Sequence, residues 1–188
     1  MIYKSQNDAD CRNEIMTNIP YPNGNRQNYP DTIGMSNVVP EKFRFRAAVG
    51  CLLTSFANEI QLLYNVSLSP QELNEELIKH DGYFILNMGE DCPIAKESYI
   101  VNSVLEKLYK IKVTYNLDPM QYRNAIYGTS SERYIIKFKH KGVTHYSNIL
   151  NDILINDKPY FIIFNVWNNQ VEIISFHKAL KIIKIVKR

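Results

Sequence analysis

The run VGCLLTSFANEIQLLY (residues 49–64) places a cysteine directly after a glycine, at the head of an apolar helical pattern. Leu52, Leu53, Phe56, Ile60 and Leu63 recur at spacings of three and four, which predicts a helix with one apolar stripe. Cys51 then falls in the first turn. Free cysteine is among the most buried residue types, so a small core side chain is the plain reading. The first turn offers a second one. Its unsatisfied backbone N–H groups and the helix dipole favour a thiolate and lower its pKa, and the same groups can hold an oxyanion. Cys11, in a polar stretch, and Cys92, in a loop before Pro93, have no such setting.

C-terminal to this helix, SLSPQELNEELIKHDG (67–82) carries strong helix punctuation. Ser69 is an N-cap, Pro70 suits the first helical position, Glu72 completes a capping box, and Gly82 is a stop. Leu73 and Leu77 form its buried stripe. A loop through NMGEDCP leads to AKESYIVNSVLEKLYK, where Tyr99, Val101, Val104, Leu105 and Leu108 make a third helical face. IKVTY predicts a short strand, and DPMQYRNAI a short fourth helix. Beyond residue 130 the pattern turns to strands: RYIIKFKH, VTHYSNIL, ILIND, PYFIIFNVW and QVEIISF, punctuated by KG, ND, KP or NN. Helices followed by strands predict an α+β domain with an antiparallel sheet. The last segment, KALKIIKIVKR, fits an amphipathic helix or an edge strand equally well.

N-terminal to the helix the chain changes character near Pro40. Residues 1–40 are polar, rich in proline and asparagine and without periodicity, which predicts an extended arm that orders on a protein partner. Residues 41–188 form the folded domain. The 22 basic and 19 acidic residues leave a net charge of +3, which names no partner. Only that small excess and the lysine-rich tail point toward nucleic acid, so no nucleic-acid partner is expected. Three cysteines at unrelated spacings argue against a disulfide framework or a zinc site. MIYKSQNDAD has no apolar core of a secretory signal, and no apolar run approaches the roughly 20 residues that span a bilayer. The expected setting is cytoplasmic on synthesis, compatible with packaging in a virion or release without a signal.

A thiol nucleophile needs a base. Of the four histidines, His80 ends the capped helix, His140 alternates in a lysine-rich strand end, and His177 follows a strand without polar company. His145 lies early in VTHYSNIL, and an Asp or Asn must orient its ring if it is to act as a base. HYSNIL-ND-ILIND reads as a hairpin turning at Asn151-Asp152. A two-residue turn there puts Asn156 on the face of His145, and a three-residue turn puts Asp157 there. Asp157 is the preferred orienter.

Taken in order, these residues resemble the papain-like cysteine peptidases related to the bacteriocin-leader-processing (double-glycine) peptidases, whose single-domain relatives are encoded in phages and bacteria. The resemblance rests on Tyr3-Lys4-Ser5-Gln6-Asn7-Asp8, Gly50-Cys51-Leu52-Leu53-Thr54-Ser55, the Ser69-Pro70-Gln71-Glu72-Leu73-Asn74 helix with Gly82-Tyr83, and His145-Tyr146 followed by Asn156-Asp157-Lys158-Pro159. The chain departs from that pattern in its long approach to Cys51, in Leu52, in the lysine inside the Asp-Pro pair and in a short His-to-Asp interval.

The resemblance implies a papain-like fold, with N-terminal helices packed on a C-terminal antiparallel sheet. It implies Cys51 as nucleophile, His145 as general base, Asp157 as orienter and Gln6 as oxyanion donor. It further implies a thiol hydrolase that cuts a peptide or isopeptide bond, needs no metal or cofactor, and acts on a peptide, a precursor protein or peptidoglycan. The alternative is a catalytically silent papain-like module, such as a virion component, that uses its arm to bind a partner.

Overall fold

The computed structural model describes residues 3, 50–80, 82, 86–87, 91–92, 100–122, 127, 129–140 and 143–188. Helix α1, Cys51–Tyr64, begins where Thr54 N–H donates to the Gly50 carbonyl at 2.8 Å, and it ends at Asn65 in the left-handed region. The spacing predicts one apolar stripe, yet every residue of α1 except Leu62 and Tyr64 is buried. A helix enclosed on all sides is a core element with neighbours around it.

Helix α2, Pro70–Lys79, starts with the predicted capping box. Ser69 Oγ accepts from Glu72 N–H at 3.1 Å, and Glu72 Oε2 accepts from Ser69 N–H at 2.6 Å. Leu73 and Leu77 are fully buried against α1. Gly82 donates its N–H to the Leu77 carbonyl at 2.6 Å, and a Cβ there would lie 2.5 Å from Leu77 Cδ2 and 3.0 Å from Leu77 Cα. Only glycine permits that approach. The loop predicted through residues 87–93 holds a small ladder of β1, Leu86–Asn87, and β2, Asp91–Cys92. Helix α3, Asn102–Tyr109, ends at Lys110 in the left-handed region and feeds directly into β3, Ile111–Leu117. The described part of the predicted fourth helix is a 3-10 turn at Pro119–Tyr122, with Asp118 Oδ1 accepting from Met120 N–H, and residues 123–126 lie outside the described residues.

The remaining strands are β4, Glu132–His140; β5, Val143–Ile155; β6, Lys158–Asn165; β7, Gln170–Ser175; and β8, Ala179–Lys187. With β3 they form a six-stranded antiparallel sheet in the order β3-β8-β4-β5-β6-β7. The α+β class and the antiparallel sheet are as the pattern predicts. The C-terminal segment is a strand, and it lies inside the sheet rather than at its edge, with Ile182, Ile183 and Ile185 fully buried. Both sheet faces are apolar. Ile135, Tyr146, Phe164, Ile183 and Ile185 meet the helices. Tyr134, Ile136, Phe138, Ile149, Phe161, Ile163, Ile174, Phe176 and Ile182 pack on the other side. Burial on both faces explains why IIKF, FIIF and KIIKIV lack clean alternation.

The hairpin read at Asn151-Asp152 is a correction. VTHYSNIL, Asn151-Asp152 and the following ILI are one thirteen-residue strand, with a register shift between Ile149 and Asn151. The turn lies at Asn156-Asp157, where Ile155 pairs with Lys158 and both turn residues have positive φ (50° and 61°). Asparagine and aspartate tolerate that conformation, which suits a two-residue hairpin. The predicted arm over 1–40 lies outside the described residues, apart from Tyr3. The Tyr3 ring stacks on Phe164 at 4.9 Å. Among the described residues no helix is long and apolar enough to cross a membrane.

A buried polar joint fastens α1 to β5. Asn148 Nδ2 donates to the Ser55 carbonyl at 2.9 Å and to Glu59 Oε1 at 2.8 Å, while Asn148 Oδ1 accepts from Asn58 Nδ2 at 3.0 Å. Burial pushes the Glu59 carboxyl up to about 8, against the opposing effects of the Asn148 bond and the nearby Arg133 charge. Arg133 Nε stands 4.0 Å from Glu59 Oε2, at the outer limit of an ion pair and beyond hydrogen-bond reach, so its charge offsets the burial only in part.

Two outcomes follow. Asn148→Ala strips the buried Glu59 of its donor and should cost about 2–4 kcal/mol in urea unfolding. The folded protein also holds a Glu59 proton that the unfolded chain releases above its ordinary value near 4.5. Stability from this group is therefore complete below that value and lost as pH rises toward 8. Glu59→Gln should match wild type near pH 4 and exceed it by ~2 kcal/mol or more at pH 9, as read from paired denaturation curves.

Candidate active site

Cys51 stands at the head of α1, 6% exposed. Three backbone N–H groups favour its thiolate: those of Tyr146, Leu52 and Cys51 itself. The first belongs to β5 and is the amide that joins His145 to Tyr146. The structure thus brings the predicted nucleophile to the same stretch of strand as the predicted base. The joint at Asn148 explains why. It ties the turn after Cys51 to a residue three positions beyond His145, so helix and strand cannot slide past one another.

Burial overturns one expectation for the thiol. The helix N-terminus does supply N–H groups, but desolvation outweighs them and pushes the Cys51 thiol up to about 11. In the folded chain at neutral pH the resting group is therefore the thiol.

His145 is 1% exposed. It pairs with Phe138 across the β4–β5 ladder, and its ring packs against Phe138 (centroids 5.4 Å apart), His140 (5.7 Å) and Trp167 (5.3 Å). His140, at the lysine-rich end of β4, is half-buried in this ring cluster. Burial pushes the His145 imidazole down to about 4. The Asn165 bond and the Glu172 charge oppose that shift, and the His140 charge adds to it.

Asp157 does not meet His145. Asp157 sits exposed in the β5–β6 turn, ten strand residues beyond His145 and then the turn, on the order of 30 Å away at about 3.3 Å per residue. Asn156 shares that turn. His145 instead meets Asn165, the last residue of β6, with Asn165 Oδ1 2.8 Å from Nε2. Asn165 is fully buried, and its Oδ1 also accepts the Trp167 N–H at 3.0 Å. The sequence reading passed over Asn165 because it ends the apolar run PYFIIF and looks like the start of a turn. A polar residue continuing the inward alternation of a buried strand is the signal that could have marked it, as with Asn148 in HYSNIL.

Gln6 lies outside the described residues, as does Cys11. Cys92 has only its backbone described, in β2. Among the described residues no group of three or more His, Cys, Asp or Glu side chains is placed to hold a metal ion. The chemistry on this stretch is a thiol at the Tyr146 amide and an imidazole bonded to an amide, Cys51 beside β5 and His145 with Asn165. Nε2 is engaged by Asn165, so Nδ1 is the nitrogen left to exchange a proton.

Iodoacetamide labelling of Cys51 followed across pH should therefore lag a free peptide thiol at neutral pH and climb toward pH 11. Asp157→Gly should leave that profile and the stability of the fold unchanged, because glycine suits the positive φ at 157. Compared with protein-family models and with curated proteins, the chain finds no match among either.

Proposed function

We propose that this chain is a papain-like thiol hydrolase that cleaves a peptide or isopeptide bond, with Cys51 as nucleophile, His145 as general base and Asn165 in the orienting role. The observation that carries this reading is the meeting of the Cys51 thiol with the amide after His145, together with the bond between His145 Nε2 and Asn165 Oδ1. With thiol and imidazole both neutral at rest, the proton moves during attack. As Cys51 Sγ bonds to the substrate carbonyl carbon, its proton passes to His145 Nδ1. Collapse of the tetrahedral intermediate breaks the C–N bond, and the imidazolium gives that proton to the leaving amine. Water then attacks the thioester with His145 again as base, which releases the acid and restores the thiol.

The Cys51 N–H is one oxyanion donor, and Gln6 is proposed as the other. Support for Gln6 comes from Tyr3, which stacks on Phe164 next to Asn165 and has Glu59 among the groups that influence its hydroxyl. Glu59 is about 12 Å along α1 from Cys51, and three extended residues cover about 10 Å. A chain anchored at Tyr3 can bring residue 6 near the head of the helix. The proposed substrates are a precursor protein or the peptide part of peptidoglycan, in a phage or bacterial setting.

The low exposure of Cys51 and its raised thiol favour a second reading. In it the same fold is a silent structural or interaction module, and residues 1–40 engage a protein partner.

One experiment separates the two. The full chain is incubated with a peptide library and with purified peptidoglycan, and the intact protein is examined by mass spectrometry for an acyl adduct on Cys51. The hydrolase reading expects cleavage that falls by about a thousandfold or more in Cys51→Ala and His145→Ala, and by about ten- to a hundredfold in Asn165→Ala. A folded protein that neither cleaves nor acylates, even with an electrophilic peptide, overturns it and leaves the module reading.

A further inference from the structure

We propose that Glu172 is a positioning residue for this site: it holds the Asn165 amide in the one orientation that keeps the His145 proton on Nε2 and the lone pair on Nδ1. The catalytic consequence rests on the hydrolase reading; the geometry does not.

Asn165 makes three contacts of defined polarity. Its Oδ1 accepts the Trp167 N–H at 3.0 Å and faces His145 Nε2 at 2.8 Å, and its Nδ2 donates to Glu172 Oε1 at 3.0 Å. Glu172 lies in β7, paired with Ile163 two residues before Asn165. A carboxylate can only accept, and a backbone N–H can only donate. Rotating the amide by 180° would set its NH₂ against the Trp167 N–H and its oxygen against the carboxylate. Both contacts would turn repulsive, at an amide that is itself fully buried.

With Oδ1 fixed toward the ring, Nε2 must be the donor. Neutral imidazole then has its only free lone pair on Nδ1, the nitrogen the mechanism uses. Glu172 Oε1 also accepts from Asn168 Nδ2 at 2.5 Å, so the same carboxylate fastens the β6–β7 turn that carries Trp167. The charge of Glu172 opposes the downward shift that burial imposes on His145, a second contribution from the same group.

The test is nitrogen-15 NMR of the His145 ring in the full chain, which reports the tautomer without substrate. Wild type should show the Nε2–H form. Glu172→Ala, and Glu172→Val as a second variant suited to an edge strand, should raise the Nδ1–H form to a share comparable with Nε2–H. Glu172→Gln, which keeps an acceptor oxygen but no charge, should restore the Nε2–H form. Cys51 acylation should fall about tenfold in the Ala and Val variants with little change in KM, and recover in the Gln variant.

A wild type lacking the Nε2–H form overturns the proposal, as does a folded Ala or Val variant with the wild-type tautomer. A shifted tautomer in the variants supports it even if no protein turns over substrate, in which case the hydrolase reading alone fails.

Discussion

Asn148 carries more of this structure than its size suggests. A single buried amide joins two turns of α1 to the middle of β5, through the Ser55 carbonyl, the Asn58 amide and the Glu59 carboxyl. Apolar packing between a helix and a sheet tolerates sliding, because methyl groups have no direction. Three hydrogen bonds of defined polarity in a water-free place do not. Cys51 lies one turn before Ser55, and His145 three residues before Asn148, so the register set at this joint is also the register of the candidate site.

The same polar logic continues along β6 and β7. Asn165 is to the His145 ring what Asn148 is to α1: a buried amide whose oxygen and nitrogen each meet a partner of the right sign. The two asparagines project from neighbouring strands of one sheet, Asn148 toward the helices and Asn165 toward the ring cluster of Phe138, His140 and Trp167. Apolar surroundings strengthen both, and they also set the electrostatics of the site. Burial favours the neutral thiol at Cys51 and the neutral imidazole at His145.

Much of this was legible in the chain where neighbouring residues decide the outcome. Ser69, Pro70 and Glu72 announced α2, the three-and-four spacing announced α1, and β-branched runs announced the sheet. Cys51 and His145 were legible as candidates for the same reason: one follows a glycine at a helix start, and the other opens a strand. Asp157 was not the partner of His145, because a thirteen-residue strand with a bulge carries the turn well past the position that local punctuation suggested. The Asn151-Asp152 pair looked like a turn, and the ladder to β6 absorbed it.

By itself the sequence determined the elements whose stabilising contacts lie within a few residues: the caps, the helical faces, the strand-forming runs and the Gly82 approach to Leu77. Tertiary structure alone decided what those elements meet. It inserted the C-terminal strand between β3 and β4, buried both sides of α1, and chose Asn165 over Asp157 for the imidazole. The physical reason is that an amide or carboxylate gains from a partner only where water has been removed. Which polar groups share such a place depends on strand order and register across the sheet, and spacing along the chain does not encode that.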